Sequence, residues 1–316
     1  MNIDKVELEK IIDILENDIA DSNPALLKLL LKDKTSRKNI MWCTKDYESY
    51  GPLYDEHAQI QVELITGRFS NIIQPRAVKA KVIQDQRAKK RAEVFTPASV
   101  CNSQLNLVDD AWFGKYNIFN KATDSGWITI KRKILFSEKK PYRWQDYVDL
   151  KRLEITCGEA PYITSRYDMQ TGRFIPVHDR IGMLDRKLRV VSENTSSKKE
   201  WVKWATRCIE SIYGFEFHGD SLIIARENVL LTFIENMYMK FKCTPDARLL
   251  KKIANIIAWN IWQMDAFTYS IPYTKRVQQY DQTSLFDDEI ENSLCKIKDW
   301  RSKVTLTYAK LFKDGD

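Results

Sequence analysis

Between residues 150 and 267 short apolar runs alternate with long stretches of helical periodicity, and this alternation restricts the fold more than any other feature of the chain. The runs open "LEITCGEAPYI" (153–163), "YGFEFHGDSLIIAREN" (213–228) and "WNIWQMDAF" (259–267). Strands separated by helix-length segments cannot pair as hairpins. They pair side by side, with the helices as crossovers, which predicts an α/β sheet. Upstream, Asn23-Pro24 supplies a cap and a first-position proline before "ALLKLLLK", and residues 55–66 read as a helix that Gly67 ends. Helices are also expected over 179–191 and 201–214, with a polar connector over 192–200, and from Thr244-Pro245 onward. "WITIKRKILF" (127–136) is the best strand in the aromatic-rich region before the alternation.

An open α/β sheet binds ligands at the carboxyl ends of its strands. Each of the three runs carries suitable chemistry there. The first has Glu154 and a small turn at Cys157-Gly158, where glycine lets backbone approach a ligand. The second ends in Glu216, a carboxylate able to accept from both hydroxyls of a ribose diol. The third ends in Asp265, an acceptor for the exocyclic amine of a purine. Taken singly, each has an ordinary alternative. A Cys-Gly turn can be purely structural, Glu216 can cap or pair with a lysine, and Asp265 can belong to a connecting loop. Upstream, "AEVFTPASVCNSQLNLV" (92–108) brings an extended segment into a helix start, with Thr96 as cap and Pro97 at the first position.

In this order the motifs resemble the cofactor-binding half of the amino-group (N6-adenine) DNA methyltransferases of type II and IIG restriction–modification systems. "AEVFTPASVCN" is similar to their FTP motif at Phe95, Thr96 and Pro97. "LEITCGEAPYI" is similar to their strand-and-turn motif, with Glu154 in the acidic position and Cys157-Gly158 matching directly. The resemblance covers about residues 40–310 and implies a Rossmann-like methyltransferase sheet, incomplete in this chain, behind an N-terminal helical extension. It implies S-adenosylmethionine as cofactor, with Glu216 on the ribose, Asp265 on the adenine, and backbone near Thr96 and Gly158 lining the methionine end.

Three departures stand beside the matches. No Pro-Pro dipeptide occurs anywhere, so the family's catalytic NPPY-type tetrapeptide has no counterpart and no catalytic residue is assigned. Ala160 stands where the family has a glycine, which places a methyl group toward the methionine end, and Ile155 stands where it has a proline. Residues 164–200 make the first crossover long and read as an insertion. The resemblance therefore implies a cofactor-binding component, of a restriction–modification or phage-defence system, that methylates DNA only with a second polypeptide or a second copy of itself. The alternatives are a non-catalytic DNA- or partner-binding protein of the same descent, and a relic without independent activity.

Charge bears on the partner. Fifty Lys+Arg against 43 Asp+Glu give +7, a bias that permits nucleic acid without requiring it. The run "KAKVIQDQRAKKR" (79–91) concentrates Lys79, Lys81, Arg87, Lys89, Lys90 and Arg91 against Asp85 alone. It is either a solvated helix face or a phosphate-contacting segment. The chain thus divides into a helical region over 1–91, ending in that basic run, and a methyltransferase-like α/β domain over 92–316. Six scattered cysteines without a CxxC pair, and three histidines, argue against a metal site and for reduced thiols. The acidic amphipathic opening is no signal peptide, and no apolar run nears the ~20 residues of a membrane span, so a cytoplasmic protein is expected.

Overall fold

The computed structural model describes residues 16–79, 96–124, 126–274 and 293–312. Three helices, α1 (Glu16–Ser22), α2 (Pro24–Leu30) and α3 (Val62–Ile65), lie in the first stretch. Then come α4 (Ala98–Phe113), the hairpin β1 (Asn120–Thr123) and β2 (Gly126–Thr129), and α5 (Trp144–Asp149). The alternating region follows as β3 (Arg152–Glu154), α6 (Met183–Asn194), α7 (Lys198–Glu210), β4 (Ile212–Glu216), α8 (Gly219–Phe241), α9 (Ala247–Asn260) and β5 (Ile261–Gln263). A second hairpin, β6 (Lys296–Lys298) and β7 (Thr305–Thr307), ends the described chain.

Strands β3, β4 and β5 form a parallel sheet in that order, as the alternation requires. Glu154 pairs with Gly214 and Glu216 with Gln263, so the three carboxyl ends emerge at one edge. Alternate side chains divide between two cores. Ile212 and Ile261 join the helical core, which also contains Leu27, Leu30, Trp42 and Ile65. Tyr213, Phe215 and Trp262 pack instead with Cys295, Ile297 and Tyr308. One face is therefore covered by helices and the other by an aromatic cluster. Among the described residues this is a three-strand sheet, smaller than a full doubly wound one.

Residues 16–79 are built into the same core. Met41 exchanges two hydrogen bonds with the Gln263 side chain: its N–H donates to Oε1 (2.8 Å) and its carbonyl accepts from Nε2 (2.8 Å). Gly219 N–H donates to the Trp42 carbonyl at 2.9 Å. The segment is less helical than its periodicity suggests. Only Val62–Ile65 of the expected 55–66 helix is α-helical, because Gln59 pairs with Met41 across an isolated bridge. The expected strand at 127–136 stops at Thr129; beyond it the Ile134 N–H donates to Glu193 rather than to a neighbouring strand. Ser197 caps α7, so the expected connector over 192–200 is mostly helix. At α9 the cap is Asp246 rather than Thr244. Residues 164–182 are no loose insertion: Thr164, Ser165, Arg166 and Tyr167 are buried.

The first residue of α8 must be glycine. A Cβ at Gly219 would lie 2.0 Å from the Met41 carbonyl oxygen, and both atoms belong to tightly held backbone. Gly219→Ala should lose about 2 kcal/mol or more in chemical denaturation, whereas exposed Lys199→Ala should stay within about 0.5 kcal/mol. Equal midpoints for the two variants would contradict this packing.

Candidate functional site

The carboxyl edge of the sheet opens into a cavity of about 1000 Å³. Its walls come from the residues that follow each strand. Leu153 to Gly158 run from the end of β3 into its loop, Glu216 to His218 end β4, and Met264 to Phe267 follow β5. Helix α4 closes another side with Gln104, Leu105 and Val108, and Thr96 precedes that helix. The rim is apolar, with Ile155 and Phe267 largely exposed.

Two carboxylates hold the loop after β3. Glu154 is buried, and its oxygens accept from the backbone N–H groups of Tyr162 (3.3 Å) and Ile163 (3.1 Å). Glu216 reaches across from β4. One oxygen accepts from Gly158 N–H at 2.8 Å, and the other accepts from His218 N–H at 3.1 Å. Gly158 turns at φ +54°, a conformation that favours glycine and aims its N–H at Glu216. The His218 imidazole also approaches the second oxygen, with Nδ1 at 3.3 Å, and a carboxylate offers about four lone-pair positions, so Glu216 keeps acceptor capacity beyond these contacts.

Asp265 follows the neighbouring strand β5, two residues past the Gln263 that pairs with Glu216. Its Oδ1 accepts from Phe267 N–H at 2.8 Å and Thr268 N–H at 3.3 Å, which fixes the turn after β5. Its Oδ2 has no hydrogen-bond partner among the described residues. Phe217, Met264 and Phe267 add apolar surface to the same cavity.

Four of the sequence-derived residues behave differently from their neighbours at the wall. Cys157 is buried, and burial pushes its thiol well above the usual range, so its part in the site is packing and backbone shape. Pro97 precedes α4 without lining the cavity, and Thr96 does not cap the helix; the cap comes from Asp168, which accepts from Ala98 N–H at 3.0 Å. The Ala160 methyl is not turned toward the cavity. It is fully buried in the core, on a backbone at φ +67°.

The chain matches no family model, no curated protein and no solved structure. The site must therefore be read from its own geometry. Thr96, Glu154, Cys157, Gly158, Glu216 and Asp265 all border one cavity. Phe95, Lys81, Arg87, Lys89, Lys90 and Arg91 lie outside the described residues. Lys79 is within them, and its side chain is buried against Asp220 at 3.2 Å rather than turned to solvent. Sequence reasoning missed His218, Phe217, Phe267 and Gln104. His218 and Phe267 each sit two residues after a selected carboxylate, so the strand ends could have been extended to include them.

Burial also perturbs the site's titration. It pushes the Glu154 carboxyl up to about 8, against the two N–H donors, and the nearby Glu216 charge adds to the rise. A raised carboxyl contributes stability that is fully present below its ordinary value of 4.5 and lost as pH rises through about 8. The wild-type chain should therefore lose on the order of 3 kcal/mol between pH 5 and 8 relative to Glu154→Gln. Denaturation midpoints across that window test this, and parallel pH profiles for the two proteins would refute it.

Proposed function

We propose that this chain is the S-adenosylmethionine-binding component of an amino-group DNA methyltransferase that needs a second polypeptide for catalysis. The observation that carries the reading is the convergence of Gly158, Glu216 and Asp265, from three successive parallel strands, on one cavity. That arrangement fits a nucleoside. Glu216 can accept from a ribose diol, Asp265 can accept from an exocyclic amine, and Phe217, Met264 and Phe267 can flank a flat base. The cavity volume is ample for a ligand of that size.

When bound, the cofactor supplies an electrophilic methyl group on a sulfonium. What the chain's residues do is position it. The Gly158 turn, held by Glu216, sets backbone beside the place for the methionine end, and Phe217 and Met264 give that cavity apolar surface. Little covalent help is needed, since orientation alone lowers such a barrier. The chain has no Pro-Pro, so on this reading the loop that holds the target amine comes from a partner. The same absence favours a second reading: a protein of this descent that binds without catalysing.

Calorimetry with S-adenosylmethionine and S-adenosylhomocysteine tests the assignment. Roughly micromolar binding is expected, weakened about 10-fold or more, some 1.4 kcal/mol, in Glu216→Gln and in Asp265→Ala. No heat from either ligand, with the fold intact by circular dichroism, would overturn it.

A further inference from the structure

The hairpin β1–β2 and the strap that follows it carry a basic surface separate from the cavity. Lys115, Lys121, Lys131, Arg132, Lys133 and Lys139 are all exposed there, and none forms an ion pair among the described residues. Lys140 adds a further exposed charge, while Asp124 and Glu138 are the acids between residues 114 and 140. Apolar rings and chains stand among the cations: Tyr116 is 82% exposed, Ile128 62% and Leu135 85%.

This surface is held rigidly. Lys121 and Ile128 pair across the hairpin on its outward side, while Asn120 is buried and bonded to Asn102. Thr129 donates to Asp179 at 2.7 Å and Trp127 Nε1 to the Asp179 carbonyl at 2.8 Å. The Arg189 guanidinium donates to the carbonyls of Ile130 (2.5 Å) and Arg132 (3.2 Å). The backbone beneath Lys131–Lys133 is thus fixed while the side chains stay in solvent.

We propose that this ribbon and strap form a docking surface for the phosphate backbone of a nucleic-acid duplex. Cations carried on an anchored two-stranded ribbon and strap suit a linear array of phosphates, and a ribbon of that width fits along a duplex groove. A membrane surface fits less well, because the apolar groups are scattered between lysines rather than gathered into one insertable face. Helix α4 joins the surface to the cavity: Gln104 lines the cavity, and Lys115 lies just past the helix end. Its 16 residues span about 24 Å, less than one duplex turn of roughly 34 Å, so one bound duplex can reach both. The inference stands on charge and anchoring and does not depend on what the cavity binds. Loss of duplex binding and loss of cofactor binding are therefore separate results.

Fluorescence anisotropy of the full chain with a duplex of about 30 base pairs, over a range of NaCl concentrations, tests it. Replacing Lys131, Arg132 and Lys133 together by Gln should weaken binding about 10-fold or more and lower the salt slope by about 2–3. Replacing the exposed Lys198, Lys199 and Lys203 of α7 by Gln should leave affinity within about 2-fold. The proposal is overturned if the 131–133 variant keeps its affinity and slope. It is equally overturned if the α7 variant loses as much, if the wild type binds no duplex, or if anionic vesicles outcompete DNA for the surface.

Discussion

A 23-residue helix with six charged or amide side chains buried along its length can stand in a core only if other segments come to meet them. Helix α8 is that helix. The Arg226 guanidinium donates to the carbonyls of Leu30 (2.5 Å), Lys32 (3.1 Å) and Ile261 (2.8 Å), so it joins the N-terminal segment to the third strand. Glu235 is shared by Arg166 and Arg180, which ties the first crossover to the same helix. Asp220 accepts from Tyr47 and Lys79. Removing a partner from one of these groups leaves a buried charge with less compensation, which is costlier than losing an exposed pair. The segments around α8 are therefore mutually dependent, and the sheet is placed by that dependence as much as by its own hydrogen bonds.

The same economy operates at the cavity. Glu216 both clamps the Gly158 turn and lines the cavity, and Asp265 both closes its own turn through one oxygen and lines the same cavity. Each acid spends part of its hydrogen-bonding capacity on local backbone and keeps part available. Such groups are held in position before any ligand arrives, which lowers the ordering cost of binding. Glu154 is different. Its two oxygens serve the loop backbone, so its part is to support the wall behind the site.

The strand ends were legible in the sequence because a short apolar run followed by an acid leaves a strong local signal. Their lengths were not, since a strand stops where its partner stops, and β3 pairs for only three residues. Residues 55–66 and 127–136 failed for one reason: the helical and strand patterns were real, but Met41 and Glu193, distant in sequence, captured the backbone first. Lys79 belonged by composition to a basic run, yet its partner Asp220 lies 141 positions away. The cap of α4 was likewise invisible, because Asp168 arrives from another loop. Local chemistry is readable from neighbours in sequence. Which residue satisfies it is decided by the fold.

The reciprocal bonds between Met41 and Gln263 join residues 222 positions apart. At about 5–20 residues per second a ribosome needs roughly 10–45 s to make that interval. Throughout that time Leu27, Leu30 and Trp42 have been synthesised, while the strand they help to cover has not. The earliest part of the core is thus the last to be sealed, and the nascent chain must be kept from aggregating until β5 emerges.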